Sequence, residues 1–395
     1  MSSFPLELIE EIVDYLGDRK DLKACSLVSR AWVPRCRHHL FADRPFTILP
    51  RNIRQFAAFL ASPYCTFLAH VQEVDARRYY WSDKDAYFTT IAPLLAQLRV
   101  HTLTFKLQVL VTDDNTTTFF HGGFISAFPY TTRLVLSCTF EQTGDSMDAV
   151  PARLVDMIAQ LPSLEELVMR SCSNSPMAPP AEKAFPPPKL SSIALCHYTV
   201  TPILSWLNKF HHLPCLHTLT LPQLRQDDSA LIGEIIPLLG PTLRYLAITV
   251  ELSNDNVDAM HAFDLSHFTS LQTLMLRDES NARYGESATD NEPLIPFLTR
   301  LCAPTLEVVC LDLDLAFYAV PEMEHSWDVL DRHFVSSVRF PNLQHIAVKR
   351  PALEGAAAAH SILDAPFEWP VAFFGLYSSD RLREMDKLPK HYGQV

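Results

Sequence analysis

The amino-acid sequence predicts an α/β protein in which a small module of three helices precedes an irregular β–α solenoid. Two observations carry this prediction. Residues 5–41 hold three successive helical patterns, and after residue 65 a phrase of the form apolar-x-x-apolar-x-apolar returns ten times, with helix-like stretches between its copies. We therefore divide the chain into residues 1–45, 46–350 and 351–395, the last being a C-terminal cap and tail.

The first helix is predicted to begin at Pro5, because proline lacks the N–H that the first turn of a helix does not need. Apolar residues at helical spacing then form one stripe, namely Leu8, Ile9, Ile12, Val13 and Leu16. Acidic residues fill the other positions and suit the positive end of the helix dipole. Gly17 is predicted to end the helix.

The second and third helices follow closely. Asp18 or Asp21 is suited to cap the second helix, and Ser29 is suited to cap the third. The apolar side of the second helix is formed by Leu22, Cys25, Leu27 and Val28. Because three helices in about 40 residues bury little surface, the module needs a partner or a neighbouring domain.

Three runs of the module keep a specific order: Pro5-Leu6-Glu7-Leu8-Ile9, then Cys25-Ser26-Leu27-Val28-Ser29-Arg30-Ala31-Trp32, then Leu40-Phe41. This order resembles an F-box, with Phe4 where that family usually has leucine. The resemblance implies docking on a Skp-type adaptor, which links an F-box to a cullin-based ubiquitin ligase. The residues expected to contact the adaptor are Phe4, Pro5, Leu8, Ile9, Ile12, Leu16, Leu22, Val28 and Trp32. The alternative is a helical cap on the following domain.

The repeated phrase is clearest from residue 164 onward. Its copies begin at residues 164, 190, 216, 243 and 271, at spacings of 26 to 28, and longer gaps precede the copies at 306 and 343. Weaker copies begin at residues 71, 100 and 131. Helical spacing between the copies predicts helices over 152–161, 202–210, 229–239, 256–263, 294–301 and 327–335.

This pattern resembles the leucine-rich repeat, in which each phrase supplies one strand of a parallel sheet and the units stack into a horseshoe. The family phrase often ends with Asn or Cys three residues after its last leucine. Here only Cys172 fits that place, so we expect an irregular horseshoe. The alternative is an ordinary α/β domain with coincidental leucine phrases.

Interruptions of the repeat predict loops and an end cap. Residues 112–123 are polar, 173–188 are rich in proline, and 279–293 are polar and charged. After residue 350 the repeat stops, and four aromatic residues are expected to cover the open end of the solenoid, namely Phe367, Trp369, Phe373 and Phe374.

Composition restricts the class of protein. The chain has 395 residues, 48% of them hydrophobic, and a net charge of −12, which disfavours nucleic acid as a partner. Residues 5–16 are acidic and amphipathic rather than a secretory signal, and no apolar run is long enough for a membrane span. Nine cysteines without a Cys-x-x-Cys pair favour a reducing cytoplasmic or nuclear setting.

No motif predicts catalysis, a metal or a cofactor. Phosphate-binding glycine loops and a Gly-x-Ser-x-Gly elbow are absent from the sequence. Cys36 lies near His38 and His39, and Cys196 lies beside His197, but neither group has the spacing of four convergent zinc ligands. We therefore expect a protein that binds other proteins and performs no bond chemistry itself.

Taken with the resemblance, the sequence predicts the substrate-recognition subunit of a Skp–cullin–F-box ubiquitin ligase, whose repeat domain binds a target protein. The expected target surface is the concave sheet face, where residues between the inward leucines point. Its candidate residues are Glu166, Arg170, Thr218, Thr220, Tyr245, Thr249, Thr273, Arg277, His345 and Lys349. The alternatives are a scaffold that acts outside any ligase and a receptor that senses a small molecule.

Overall fold

The structure, a computed structural model, describes most of the chain up to residue 349. The described residues are 5–41, 45–49, 51–63, 65, 68–78, 85–110, 124–141, 154–172, 184–250, 262–278, 294–312, 329–330, 332–336 and 338–349. The chain divides into two compact units, Met1–Trp206 and Leu207–Val395.

The first unit begins with three helices and continues with strands and helices in alternation. Its helices are α1 (Leu6–Asp14), α2 (Arg19–Val28), α3 (Val33–Phe41), α4 (Ile53–Ala61), α5 (Asp85–Leu95), α6 (Leu154–Ile158) and most of α7 (Val200–Lys209). Its strands are β1 (Phe46–Ile48), β2 (Glu73–Arg78), β3 (Thr102–Leu110), β4 (Arg133–Glu141), β5 (Glu166–Cys172) and β6 (Ser192–Ala194).

Helices α1 to α3 form a small module with its own apolar core. Val13, Leu22, Cys36 and Leu40 are buried in this core, and Leu16, Cys25, Trp32 and Phe41 pack against it. Of the two predicted caps of α2, Asp18 and Asp21, the structure shows Asp18: its carboxylate accepts a hydrogen bond from the N–H of Lys20 at 2.8 Å. The third helix begins later than expected, at Val33, and Ser29 lies at the end of α2 instead.

The six strands of the first unit pair in parallel and in sequence order from β1 to β6. Each predicted phrase supplies its first residue just before a strand and its other two apolar residues within it, except that Leu195 lies just after β6. Leu103, Leu134, Leu167 and Ile193 are thereby aligned across four strands, and all are fully buried. Strand β1 was not predicted, because only three residues pair and they lack the phrase.

The second unit repeats the same arrangement. Its helices are α8 (Ser229–Leu239) and α9 (Leu294–Thr299), and its strands are β7 (Thr218–Leu221), β8 (Tyr245–Val250), β9 (Thr273–Asp278), β10 (Val308–Asp312) and β11 (His345–Lys349). These five strands are also parallel and in sequence order. The parallel α/β prediction is therefore confirmed within each unit.

Backbone hydrogen bonds fix the register of successive repeats in a regular way. The N–H groups of Thr132 and Arg133 both donate to the carbonyl of His101, at 2.9 and 3.0 Å. One repeat later, the N–H groups of Glu165 and Glu166 both donate to the carbonyl of Thr132. The same paired bonds precede β3, β6 and β8 to β11. Because one carbonyl satisfies two donors at each of these strand entries, each of these strands is aligned with its predecessor.

The predicted helices agree with the structure where both can be compared. Helix α8 has the predicted bounds, while α6, α7 and α9 differ from the predicted 152–161, 202–210 and 294–301 by a few residues at their ends. Helical residues at 329–330 and 332–334 fall within the predicted 327–335. The predicted helix at 256–263 lies almost wholly outside the described residues.

Several other predictions also lie outside the described residues. They concern Phe4, loops 112–123 and 279–293, most of loop 173–188, and the C-terminal cap. Among the described helices, none is both long and apolar enough to cross a lipid bilayer.

Candidate binding surfaces

Helix α1 presents two apolar lines rather than the single predicted stripe. Ile9 and Val13 are buried, and Val13 belongs to the core of the module. Leu8, Ile12 and Tyr15 follow one another at helical spacing on a second line and are exposed, Tyr15 to 83%. The helix is therefore apolar on more than the face that its own module covers.

Helix α2 continues this pattern at its C-terminal end. Leu22 is buried in the module, whereas Leu27 is 87% exposed and Val28 is 67% exposed. Together, six exposed residues of α1 and α2 form what we name the apolar module surface: Leu6, Leu8, Ile12, Tyr15, Leu27 and Val28. Thirteen large apolar side chains of the described residues are exposed, and six of them belong to this module, a concentration that is typical of an interaction site.

Acidic residues accompany the apolar module surface. Glu7, Glu10, Glu11 and Asp21 are exposed on the same two helices. Asp14 is engaged within the module, since it accepts hydrogen bonds from Arg35 at 2.5 and 2.6 Å and lies 2.7 Å from Nε2 of His39. Arg19, Lys20 and Lys23 are exposed on α2 as well, so a partner would meet apolar side chains bordered by charges of both signs.

The predicted adaptor contacts fall into two groups. Pro5, Leu8, Ile12 and Val28 are exposed. Ile9 and Leu22 are buried, and Leu16 and Trp32 pack against the core, so Leu16, Leu22 and Trp32 serve the packing of the module itself. Leu6, Tyr15 and Leu27 were not among the predicted contacts. The spacing of Tyr15 from Leu8 and Ile12 would have pointed to it, because these positions recur on one helix face.

The sheet of the second unit has a polar face opposite its buried leucines. Strand pairing aligns its residues in rows that run across the strands. The first row is Thr218, Tyr245, Thr273, Val308 and His345; the second is Thr220, Ala247, Met275, Cys310 and Ala347; the third is Thr249, Arg277, Asp312 and Lys349. Seven predicted target residues thus lie on one face, together with Lys349, whose side chain is outside the description.

Contacts on this face join side chains of neighbouring strands. Nε of Arg277 lies 3.5 Å from a carboxylate oxygen of Asp312, and the hydroxyl of Tyr245 donates to Sδ of Met275 at 3.9 Å. Burial raises the pKa of Tyr245 above its usual value, so the hydroxyl stays protonated as a donor. Nδ1 of His345 is buried and has no hydrogen-bond partner in the described structure.

Cys310, Asp312 and His345 share this face and are residue types that nucleophilic catalysis uses. Burial and the neighbouring carboxylate of Asp312 raise the pKa of the Cys310 thiol to about 11. The thiol is therefore protonated at neutral pH, whereas a nucleophilic cysteine needs its thiolate. Cys310 is therefore not activated as a nucleophile in this arrangement.

The polar face of the first unit carries more charge. Arg133 lies 3.0 Å from Glu166 across strands β4 and β5. Arg170 occupies an extra position where the pairing of β4 and β5 shifts by one residue, and its side chain is exposed. Asp75, Arg77 and Lys106 lie on β2 and β3 and were not predicted, because the phrase is weak in these early repeats. Glu166 and Arg170 belong to this unit and the other predicted target residues to the second.

Three cysteines follow one another on successive repeats of the first unit. Cys138 and Cys172 are paired positions of β4 and β5, and Cys196 follows β6. The thiol of Cys138 raises the pKa of Cys172, and the thiol of Cys172 together with burial raises the pKa of Cys196. Among the described residues, no group of three or more His, Cys, Asp or Glu side chains is arranged to hold a metal ion.

A scan of the chain against protein-family models finds no match, and a search of curated proteins finds no similar sequence. The function of the chain is therefore inferred from its own surfaces.

Proposed function

We propose that this chain is the substrate-recognition subunit of a Skp–cullin–F-box ubiquitin ligase. In this proposal α1 to α3 are an F-box that docks on a Skp-type adaptor and, through it, on a cullin. The remaining strands and helices are a leucine-rich-repeat-like domain that binds a target protein. The observation that carries the proposal is the apolar module surface, which leaves Tyr15, Leu27 and Val28 largely exposed on a very small domain.

Exposed apolar side chains of this size favour a covering partner. Burial of one such side chain contributes about 1.5–3 kcal/mol, so covering several of them supplies enough free energy for a stable complex. Val13, Leu22, Cys36 and Leu40 meanwhile keep the three helices together, which means that the exposed residues are not needed for the module's own core. A preformed helical surface binds without a large cost in ordering.

The repeat region supports the second half of the proposal. Parallel strands place rows of polar and small residues on one face of each unit, and the leucines fill the other face. A flat or curved sheet face of this kind binds by matching shape and charge over many side chains. The chain would select a target and hold it near the ligase, while other subunits perform the transfer of ubiquitin.

Co-expression with a Skp-type adaptor tests the proposal. We expect the tagged chain to co-purify with the adaptor in a one-to-one complex. Ile12→Glu and Leu27→Glu each place a charge on the apolar module surface and should abolish co-purification. Phe59→Glu is the matched control, because Phe59 is exposed on α4 and lies outside the module.

Folding must be separated from binding in this test. Leu22→Ala removes a buried side chain and should cost about 2–5 kcal/mol, so it shows how an unfolded module behaves. Thermal unfolding of Ile12→Glu and Leu27→Glu should match that of the wild type. A folded wild-type chain that fails to bind the adaptor would contradict the proposal. The module would then be a helical cap on the following domain. An adaptor complex that recruits no cullin would leave only the scaffold function.

A further inference from the structure

The exposed apolar residues of α1 and α2 are bordered by charges of opposite sign. Leu6–Asp14 holds four acidic residues and no basic one, whereas Arg19–Val28 holds three basic residues and one acidic one. One acid of α1, Asp14, is balanced by Arg35, so three negative charges remain on α1 against two net positive charges on α2. The module therefore carries both halves of an electrostatically matched interface.

On α1 the negative charges border the exposed apolar line of Leu8, Ile12 and Tyr15. Glu11 follows Leu8 by three residues and precedes Tyr15 by four, so its side chain neighbours both on the helix surface. Glu7 precedes Glu11 by one helical turn and extends the border towards the start of the helix. Both glutamates are exposed, so a partner that covers this apolar line meets two negative charges along one side of it.

On α2 positive charges border the exposed Leu27 in the same manner. Lys23 precedes Leu27 by four residues and Lys20 precedes it by seven, so all three share one face of the helix. Both lysines are exposed, and Leu27 is largely exposed. The one acidic residue of α2, Asp21, precedes Val28 by seven residues and belongs to the next line around the helix.

The two charged lines also match in length. If α1 is laid beside α2 in the same direction, Glu7 comes level with Lys20 and Glu11 with Lys23, each to within one residue or about 1.5 Å of helix rise. The exposed apolar residues at the C-terminal ends of the two helices come level in the same way. Because both lines are exposed within one chain, they do not cover each other, and this contact requires a second copy.

We propose that the apolar module surface docks on the same surface of a second copy of this chain, with α1 of each copy against α2 of the other. A two-fold axis repeats the contact, which is the commonest symmetry of homodimers. Glu7 and Glu11 of one copy then lie against Lys20 and Lys23 of the other. The apolar residues beside them lose contact with water, which supplies the main driving force.

The dimer uses residues that the proposed function assigns to the adaptor, so the two partners compete for one surface. A chain paired with a second copy binds the adaptor only after the dimer dissociates, and adaptor binding then gives a one-to-one complex. The apolar module surface is thus covered whether or not the adaptor is present. Dimer formation itself requires only this chain, so it does not depend on the proposed function.

Charge reversal on each helix tests the inference on the full-length chain without adaptor. Sedimentation equilibrium should show a dimer of the wild type. Glu7→Lys with Glu11→Lys places lysines opposite the lysines of α2, and Lys20→Glu with Lys23→Glu places glutamates opposite the glutamates of α1. Because like charges then meet at both contacts, the dissociation constant of each double variant should rise at least about tenfold.

A mixture of the two double variants separates docking from damage to the module. In a mixed dimer, the lysines introduced on α1 face the glutamates introduced on α2, and native residues of opposite charge face each other at the second contact. We expect the equimolar mixture to recover wild-type dimerisation, although each variant alone dimerises weakly. A chain that carries all four substitutions should also dimerise, because both of its contacts are reversed together. Damage to the module would not be rescued in this way.

Two further variants serve as controls. Lys189→Glu with Lys209→Glu makes an equal charge change at exposed positions outside the module and should leave dimerisation intact. Ile12→Glu places a charge within the apolar contact and should prevent dimerisation. Thermal unfolding of all these variants should match that of the wild type.

Two results would overturn the inference: a wild type that is monomeric at about 100 μM, or a mixture that is no more dimeric than its components. The same preparations are tested for co-purification with the adaptor. Adaptor binding by a monomeric wild type would remove only this inference. A dimeric wild type that never binds the adaptor would remove only the ligase function.

Discussion

The carboxylate of Asp14, at the end of α1, accepts two hydrogen bonds from the guanidinium of Arg35 on α3. Nε donates to Oδ1 at 2.5 Å, and Nη2 donates to Oδ2 at 2.6 Å. This bidentate geometry holds the two helices in a fixed orientation, and His39 of α3 approaches the same carboxylate. The bonds from Arg35 and His39 hold the pKa of Asp14 well below its usual range.

This pKa shift predicts how the module responds to acid. A carboxyl whose pKa is lowered by folding contributes its full stabilisation at pH values above its pKa in the unfolded chain, about 4. This stabilisation is lost as the pH falls from there towards the pKa in the folded protein. We expect hydrogen exchange of residues 5–41 to accelerate below about pH 4. In the Asp14→Asn variant, hydrogen exchange of these residues should already be faster at pH 7 and should change less when the pH is lowered. Glu11→Gln, on the exposed face of α1, is the control. An identical acid response in wild type and Asp14→Asn would contradict this prediction.

Two glycines of the second unit should respond oppositely to alanine. Gly240 follows α8, and a Cβ there would lie 2.6 Å from the carbonyl carbon of His267 and closer still to its oxygen. Because backbone cannot move aside cheaply, Gly240→Ala should destabilise the protein by about 1–3 kcal/mol. Gly233 is exposed within α8, and the nearest atom to its Cβ would be 4.0 Å away. Gly233→Ala should therefore stabilise by about 0.5–1 kcal/mol. Urea unfolding measures the free energy of unfolding of both variants, and a change of the same sign in the two would contradict the prediction.

Alkylation should distinguish Cys310 from the exposed thiols of the second unit. With a pKa of about 11, its thiolate fraction at pH 8 is far below that of an ordinary cysteine. We expect iodoacetamide to modify Cys310 about a hundredfold more slowly than Cys302. Peptide mass spectrometry follows each site, and the two rates should become equal in urea. Rapid modification of Cys310 in the folded protein would contradict this prediction and would indicate a nucleophilic thiol.

Trp206 should be the most sensitive aromatic residue of the first unit. It is almost fully buried, and its indole N–H donates to the carbonyl of Ala184 at 2.6 Å. Trp206→Phe removes the donor and leaves a space, at a cost of about 2–4 kcal/mol. Tyr130→Phe, an exposed position in the same unit, should change stability by less than about 0.5 kcal/mol. A Trp206→Phe protein with an unchanged urea midpoint would contradict the prediction.

The order of strands and helices could be predicted because the repeats are local. Each phrase, such as Leu164 with Leu167 and Met169, marks a strand by itself, and all ten copies coincide with strands of the structure. Strand β1 escaped prediction because Phe46 and Ile48 gain their place only by pairing with β2. A short edge segment of this kind has no periodic signal of its own.

The candidate surfaces could be predicted only in part. Alternation along the strands placed Thr218, Tyr245 and Arg277 on one polar face, because side chains of a strand alternate whatever its neighbours are. The partners of these residues depend on register between distant segments. Asp312 beside Arg277, and Lys106 beside Arg77, are brought together by pairing of strands that are about 30 residues apart in sequence.

The sequence by itself determined the three-helix module, the parallel β–α repeat and the leucines that fill the core, since local periodicity specifies all three. Only the tertiary structure decided which apolar residues of the module are exposed and which charges are paired. On α1, Ile9 and Leu8 are adjacent and equally apolar, yet one is buried and the other faces outward. That difference depends on how the rest of the chain packs against α1, and the pairing of Arg277 with Asp312 depends in the same way on the register of β9 and β10.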